Sequence, residues 1–470
     1  MIEYEMTVGL EVHVELRTES KIFCSCPTDP LAPPNTQICP ICMGFPGTMP
    51  TLNKKVVEYA IRAGLATNCE ISRRSGIDRK NYYYPDLPKG YQISQYDRPL
   101  CHSGHIDISS GRVGISRIHI EEDAGKLIHD AEYGTLIDCN RCGVPLIEIV
   151  TEPDMHSAAE AKEFLKKLRS VIVATKISDC KMNEGSFRCD VNLSIAPKGS
   201  SALGERTEIK NINSFNFVAK AIEFEFKRQC DMINSGKKIT RQTLRYDSKN
   251  GRCEVMRSKE SATDYRFFPE PDLHDILLCD EDVDRIRDTM PVLPEEKKNI
   301  YTDIFALPQY DAELIASDAA LSAYFDLAQE YTEHKKALAN LLISEILAKT
   351  DADDFAPPIL PRNMGELAEL FANEKINSST AKKILGEMWN DNSLSPAKIA
   401  DRDDLWQIND RAQLEKLAKE AVAENLRAVE DYKRGKSFAI RSIIGKAMSK
   451  SKGKANPRMI EELILELIEE

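Results

Sequence analysis

Val8-Gly-Leu-Glu-Val-His-Val-Glu-Leu16 alternates without a break: Val8, Leu10, Val12, Val14 and Leu16 hold one parity, Gly9, Glu11, His13 and Glu15 the other. Successive side chains of a strand point to opposite faces, so this stretch predicts a strand with an apolar side and a side carrying Glu11, His13 and Glu15 together. The pattern recurs. Arg117, His119 and Glu121 alternate with Ile118 and Ile120, and Arg188, Asp190, Asn192 and Ser194 alternate with Phe187, Cys189, Val191, Leu193 and Ile195. Arg206, Glu208 and Lys210 alternate with Thr207 and Ile209, while Glu148 interrupts the apolar run Leu146-Ile-Glu-Ile-Val150, where a lone carboxylate is costly unless compensated. Two readings follow. One is an ordinary solvated sheet face. The other is a site in which carboxylates and an imidazole take magnesium or manganese and the interleaved Arg and Lys take phosphate oxygens, the equipment of phosphoryl transfer. No Walker A or protein-kinase signature accompanies it.

Outward from these strands, the chain divides. Up to about residue 290, period-2 stretches mix with a few helices, one over 157–173 with Ser157 and Glu160 as a capping box, another following Ser214. This part reads as α+β with a mainly antiparallel sheet. At Met290-Pro-Val-Leu-Pro294 the pattern becomes helical; Pro294 with Glu295 and Glu296 marks a helix start, Asp351–Arg362 reads as a loop, and a small helical module begins near Leu405. The expected domains are 1–290, 291–404 and 405–470. A chain of 470 residues with 42% hydrophobic and 29% charged residues is of the globular class and too long for one core. The acidic start Met-Ile-Glu-Tyr-Glu-Met lacks the apolar region of a signal peptide, and no apolar run nears the ~20 residues that span a bilayer, so a cytoplasmic, membrane-free protein is expected.

Three further motifs carry chemistry. Cys24-x-Cys26 and Cys39-x-x-Cys42, twelve residues apart, have the spacing of a structural four-thiolate zinc site; four unrelated thiols are the alternative. Cys139-Asn-Arg-Cys142 has no second pair nearby. The aromatic, basic loops Lys80–Tyr91 and Met256–Asp272 are candidates for pocket walls, with Arg257 and Lys259, alongside Arg188, as cofactor-binding residues. From Lys433 to Arg458 there are nine basic residues and no acids, on a chain of net charge −12; Lys446, Lys450, Lys452, Lys454 and Arg458 are the candidate RNA contacts, with Ser449–Lys454 a loop and Asn456-Pro457 opening a last helix. A solvated helical hairpin is the alternative reading.

Taken together, Gly9–Leu16, Lys80–Tyr96, Ile118–Lys126, Gly143–Asp154, Gly185–Asp190, Glu208–Ser214, Met256–Leu273 and Gly453–Pro457 resemble the B subunit of aspartyl/glutamyl-tRNA(Asn/Gln) amidotransferase over essentially the whole chain. The resemblance implies an N-terminal cradle domain that uses ATP and Mg2+ to phosphorylate the side-chain carboxylate of Glu-tRNA(Gln) or Asp-tRNA(Asn). Ammonia from an amidase A subunit then displaces the phosphate. It also implies a small C subunit completing a heterotrimer, an association with the nondiscriminating aminoacyl-tRNA synthetase, and helical and tail domains that hold misacylated tRNA. By motif position His13, Glu121 and Glu148 correspond to magnesium ligands. Glu11, Asp190, Glu208 and Lys210 correspond to further metal, ATP or acyl-phosphate contacts, Lys89 to a residue near the ammonia path or the reacting carboxylate, and the four cysteines to zinc. Arg241-Gln-Thr-Leu-Arg245 departs from the pattern of many relatives, with Gln242 where they have a carboxylate. The competing function is a noncatalytic, zinc-containing tRNA-binding scaffold, and no Ser–Ser–Lys amidase signature supports a self-sufficient amidase.

Overall fold

In the computed structural model, which describes residues 3–200, 202–258, 265–350, 355–391 and 393–469, the alternating stretch forms the strand Tyr4–Glu15. It is held on both edges: antiparallel to Phe187–Pro197 from Tyr4↔Pro197 to Val14↔Phe187, and antiparallel to Pro145–Thr151 from Glu11↔Val150 to Glu15↔Leu146. Around it lies a nine-stranded sheet in the order Arg252–Ser258, Gln242–Asp247, Thr207–Ile212, Phe187–Pro197, Tyr4–Glu15, Pro145–Thr151, Gly111–Glu122, Cys101–Ile108, Glu70–Ile71. Every adjacent pair is antiparallel except Thr207–Ile212 with Gln242–Asp247, whose parallel run is connected through the helix Phe215–Asn234. The mainly antiparallel α+β expectation holds.

Alternation sorts the two faces. Val8, Leu10, Val12 and Val14 are fully buried in one core with Ile118, Ile149, Val191 and Ile209, under the helices Lys54–Ala66, Ala158–Ala174 and Phe215–Asn234. The helices carry matching stripes: Phe164, Leu165, Leu168 and Ile172 on one, Val218, Ala221 and Ile222 on another. Ser157 Oγ accepts from Glu160 N at 3.1 Å, but the Glu160 carboxylate accepts from His156 N at 2.6 Å, so the box expected between Ser157 and Glu160 closes one residue earlier. Ser214 caps the second helix by accepting from Phe217 N.

A second compact unit comprises Pro294–Glu470 and, among its described residues, is helical. Pro294 opens the helix Pro294–Asp303 with Glu295 and Glu296 in its first turn. One apolar cluster runs from Tyr301 to Ala400 and another from Leu414 to Ile468. Two boundaries differ from expectation. Pro361 begins the helix Pro361–Ala372, so the preceding loop stops at Leu360, because proline's fixed φ suits a first helical turn. The helix Ile440–Lys450 continues through Ser449, since Ile443 and Ala447 are buried and carry the helical face onward; only a turn separates it from Pro457–Glu469. Among the described residues no helix is long and apolar enough to cross a membrane.

Phe164 is fully buried at the centre of the first core. Phe164→Ala is expected to cost ~3–5 kcal/mol, read as a lowered urea midpoint; a loss below ~1 kcal/mol would show that the helix does not pack the sheet as described.

Candidate active site and metal centres

The polar face of the sheet is built row by row. His119 pairs in register with Glu148, Glu148 with His13, and His13 with Arg188, so these four side chains cross the sheet in one line on one face. Glu121 follows two residues after His119 on the same side. Glu148 Oε2 lies 3.3 Å from His13 Nε2 and 3.6 Å from His119 Nε2, and Glu121 Oε2 lies 3.8 Å from His119 Nε2. Ligand atoms of His13, Glu121 and Glu148 all fall within 4.8 Å of one another. Two oxygens on opposite sides of a magnesium ion with ~2.1 Å bonds stand ~4.2 Å apart, so this triad fits a divalent cation of that size.

Glu121 and Glu148 are both buried, and their charge is held there by neighbours. Burial pushes the Glu121 carboxyl up, but Lys80 Nζ at 3.3 Å and the His119 ring outweigh it and draw it down; Ser94 Oγ donates to the same oxygen at 2.8 Å. For Glu148, burial is outweighed by His119 and by the bond and charge of His13, which hold it well below the usual carboxylate range. His13 in turn, although burial lowers it, is raised by its bond to Glu148. Of this inner group, Ser94 and His119 are not among the site residues the sequence points to, and Lys80 enters there only as part of a pocket-wall loop. The Arg117, His119, Glu121 alternation already contained the signal for His119, whereas Ser94 and Lys80 arrive from the separate three-stranded sheet.

A second acidic group lies on the same face. Ligand atoms of Glu11, Asp190 and Glu208 come within 4.8 Å of one another. Lys210 Nζ reaches Asp190 at 2.5 Å and Glu208 at 3.0 Å, Asn192 donates to Glu11 at 2.9 Å, and Thr243 to Glu208 at 3.0 Å. The structure thus gathers all the predicted carboxylates onto one face, in two clusters. Arg188 is engaged by Asp123 at 2.8 Å, and Lys89 is ion-paired with Glu122, so both stand beside the clusters rather than within them. The two aromatic loops do meet: Tyr82 stands edge-on to Tyr265 with centroids 5.8 Å apart, and Lys80 lies 5.4 Å over the Tyr265 ring. The predicted Lys259 lies outside the described residues, as does the side chain of Arg257.

Sulfurs of Cys24, Cys26, Cys39 and Cys42 also lie within 4.8 Å of one another. A tetrahedral zinc with ~2.3 Å bonds spaces its sulfurs ~3.8 Å apart, so the four thiols fit that ion. Cys42 Sγ accepts from Cys39 N at 3.2 Å and from the buried Lys21 Nζ at 3.7 Å. A hydrogen bond from the Cys24 thiol, more than the Cys39 N–H and Lys21, draws the Cys42 thiol down to about 5 despite burial. Gln37 N and Asn35 N bond to Asn140 Oδ1 and Asp138 Oδ1, tying the intervening loop to the segment that carries the buried Cys139 and Cys142.

The basic tail is less free than its local charge suggests. Lys446 pairs with Glu424 at 3.3 Å, Lys450 with Glu424 at 2.6 Å and Glu420 at 3.0 Å, Lys454 with Asp404, and Arg458 with Glu462 at 3.4 Å. Lys452 alone of the five has no ion pair among the described residues.

The sequence that builds this sheet and these helices is matched by known proteins. A family model described as the GatB/GatE catalytic domain matches residues 6–284, and one described as a GatB domain matches 323–468. Over 479 residues, covering 100% of both chains, the protein is 50% identical to the aspartyl/glutamyl-tRNA(Asn/Gln) amidotransferase B subunit of Caldicellulosiruptor bescii. Proteins of the same name from Thermoanaerobacter pseudethanolicus and Clostridium tetani are 47% and 45% identical, each over 99% of both chains. These matches make the chain an amidotransferase subunit of the ligase class. The chain belongs to the GatB family.

Glu15, on the same face as His13, has its carboxyl pushed from an ordinary 4.5 up to about 7, by burial first and then by Asp123, against Arg188 and Arg141. Between those two pH values the native state holds a proton that the unfolded chain has released, so this residue's contribution to stability falls as pH rises from 4.5 to 7. Glu15→Gln is expected to raise the melting temperature at pH 8 relative to wild type and to leave it near wild type at pH 4.5. Equal shifts at both pH values would refute the assignment.

Proposed function

We propose that this subunit phosphorylates the side-chain carboxylate of glutamate or aspartate esterified to tRNA(Gln) or tRNA(Asn) and then amidates it with ammonia from a partner amidase. The carrying observation is the convergence of His13, Glu121 and Glu148 within 4.8 Å on a face that also bears Arg117, Arg188 and Lys210, with Lys80 reaching Glu121 from the three-stranded sheet. In the first step the substrate carboxylate oxygen attacks the terminal phosphorus of ATP, and the bond to ADP breaks. In the second, ammonia adds to the acyl carbon and phosphate leaves.

A divalent cation bound by His13, Glu121 and Glu148 would neutralise phosphoryl oxygens. The chain's own residues do the rest. Glu148 fixes the His13 and His119 rings, Lys80 and Ser94 orient Glu121, and Lys210 holds Asp190 and Glu208 apart from mutual repulsion. Zinc at Cys24, Cys26, Cys39 and Cys42 is structural, because four thiolates leave no open position. The Lys89–Glu122 pair stands in the wall between that knuckle and the sheet, beside the same small cavity as Cys24 and Cys42, where ammonia would pass.

Residues 1–290 form the catalytic cradle, 291–404 a helical domain, and 405–470 a tail that carries tRNA. Exposed ion pairs such as Arg458–Glu462 contribute only ~0–1 kcal/mol, so RNA phosphates can displace the carboxylates from Lys446, Lys450, Lys454 and Arg458, while Lys452 is available directly. The working particle is a cytoplasmic heterotrimer with an amidase A subunit and a small C subunit.

His13→Ala, reconstituted with the amidase and small subunits, is expected to lower ATP turnover dependent on misacylated tRNA by ~100-fold or more, with cooperative melting retained. Turnover at the wild-type rate would sink this reading.

A further inference from the structure

Three buried polar atoms with no hydrogen-bond partner among the described residues sit on the site's own face: Arg117 Nε, His119 Nδ1 and Arg188 Nε. Their positions are ordered. His119 and Arg188 end the row His119, Glu148, His13, Arg188, and Arg117 lies in the next row, which runs His102, Arg117, Val150, Glu11, Asp190. Arg188 has one anchor, Asp123 at 2.8 Å. Arg117 has no ion pair or hydrogen bond from its side chain among the described residues, although Glu11 and Asp190 share its row. Those carboxylates are already taken, Glu11 by Asn192 and Asp190 by Lys210.

A half-buried guanidinium without a counter-charge is expensive, and five N–H donors in a planar fork are matched by an oxyanion. Two arginines flank the carboxylate–imidazole centre, on strands three spacings of ~4.8 Å apart. Guanidinium groups on both sides of that centre suit an elongated polyanion better than a single carboxylate. We propose that Arg117 binds the phosphate chain of ATP at the edge of the His13–Glu121–Glu148 centre opposite Arg188; this rests on the phosphoryl-transfer reading above. Arg117 acts as a direct ligand of phosphate oxygens.

The test uses the reconstituted three-subunit enzyme carrying Arg117→Gln or Arg117→Lys, with KM measured separately for ATP and for misacylated tRNA. The expected result is a KM for ATP raised ~10-fold or more in Arg117→Gln, partly recovered in Arg117→Lys, with KM for the tRNA unchanged. An unchanged KM for ATP overturns the proposal. So does a rise confined to the tRNA, which would give Arg117 to the aminoacyl carboxylate. If Arg117→Gln does not melt cooperatively, Arg117→Lys decides: a point charge cannot reproduce the fork, so a KM for ATP indistinguishable from wild type overturns the proposal and a raised one supports it. Loss of the proposal in this way leaves the His13→Ala result untouched, and normal ATP turnover in His13→Ala would instead remove the functional reading beneath it.

Discussion

Burying Glu148 is the constraint around which the first unit is organised. A carboxylate out of water costs several kcal/mol unless matched by cations and hydrogen-bond donors, and here the donors come from two different neighbouring strands, His13 on one side and His119 on the other. That arrangement demands registered pairing of three strands. A one-residue slip of Tyr4–Glu15 would carry His13 into the apolar core and leave Glu148 without one of its partners. The sheet's hydrophobic face and its polar face therefore enforce the same register, one by packing and the other by charge.

From this follows the division of labour across the fold. The helices Ala158–Ala174 and Phe215–Asn234 cover one side of the sheet, leaving the other to chemistry. The short strands Asp78–Asn81 and Tyr91–Ser94 then bring Lys80 and Ser94 to Glu121 from outside the large sheet. The knuckle of four cysteines stands next to this second layer: Lys89, Glu122, Cys24 and Cys42 line one small cavity. Ordering the irregular, proline-containing loop between the cysteine pairs keeps that wall in place.

Much of this was legible in the chain because period-2 alternation states which residues share a face. Glu11, His13, Glu121, Asp190 and Glu208 all fall on the side of their strands that the alternation assigns them, whereas Glu148, in an apolar run, joins them through its register with His13 and His119. Partnership across strands was not legible. Alternation is local, while the approach of Lys80 to Glu121 depends on pairing between segments far apart in sequence. The same limit explains the tail. Counting charges between Lys433 and Arg458 finds only bases, yet Glu420, Glu424 and Asp404 fold back to neutralise part of them. Helix ends were read well where a side chain caps them, as at Ser157 and Ser214. They were read less well at Ser449, where buried Ile443 and Ala447 prolong the helix against a polar local sequence.

The central claim is that His13, Glu121 and Glu148 share one divalent cation beside the phosphate-binding arginines. Anomalous diffraction from crystals soaked in manganese and a nonhydrolysable ATP analogue tests it most directly. The account predicts a manganese peak bonded to all three side chains at ~2.0–2.3 Å, next to phosphate density. A peak elsewhere on the sheet, with these three side chains in contact only with one another, would contradict it.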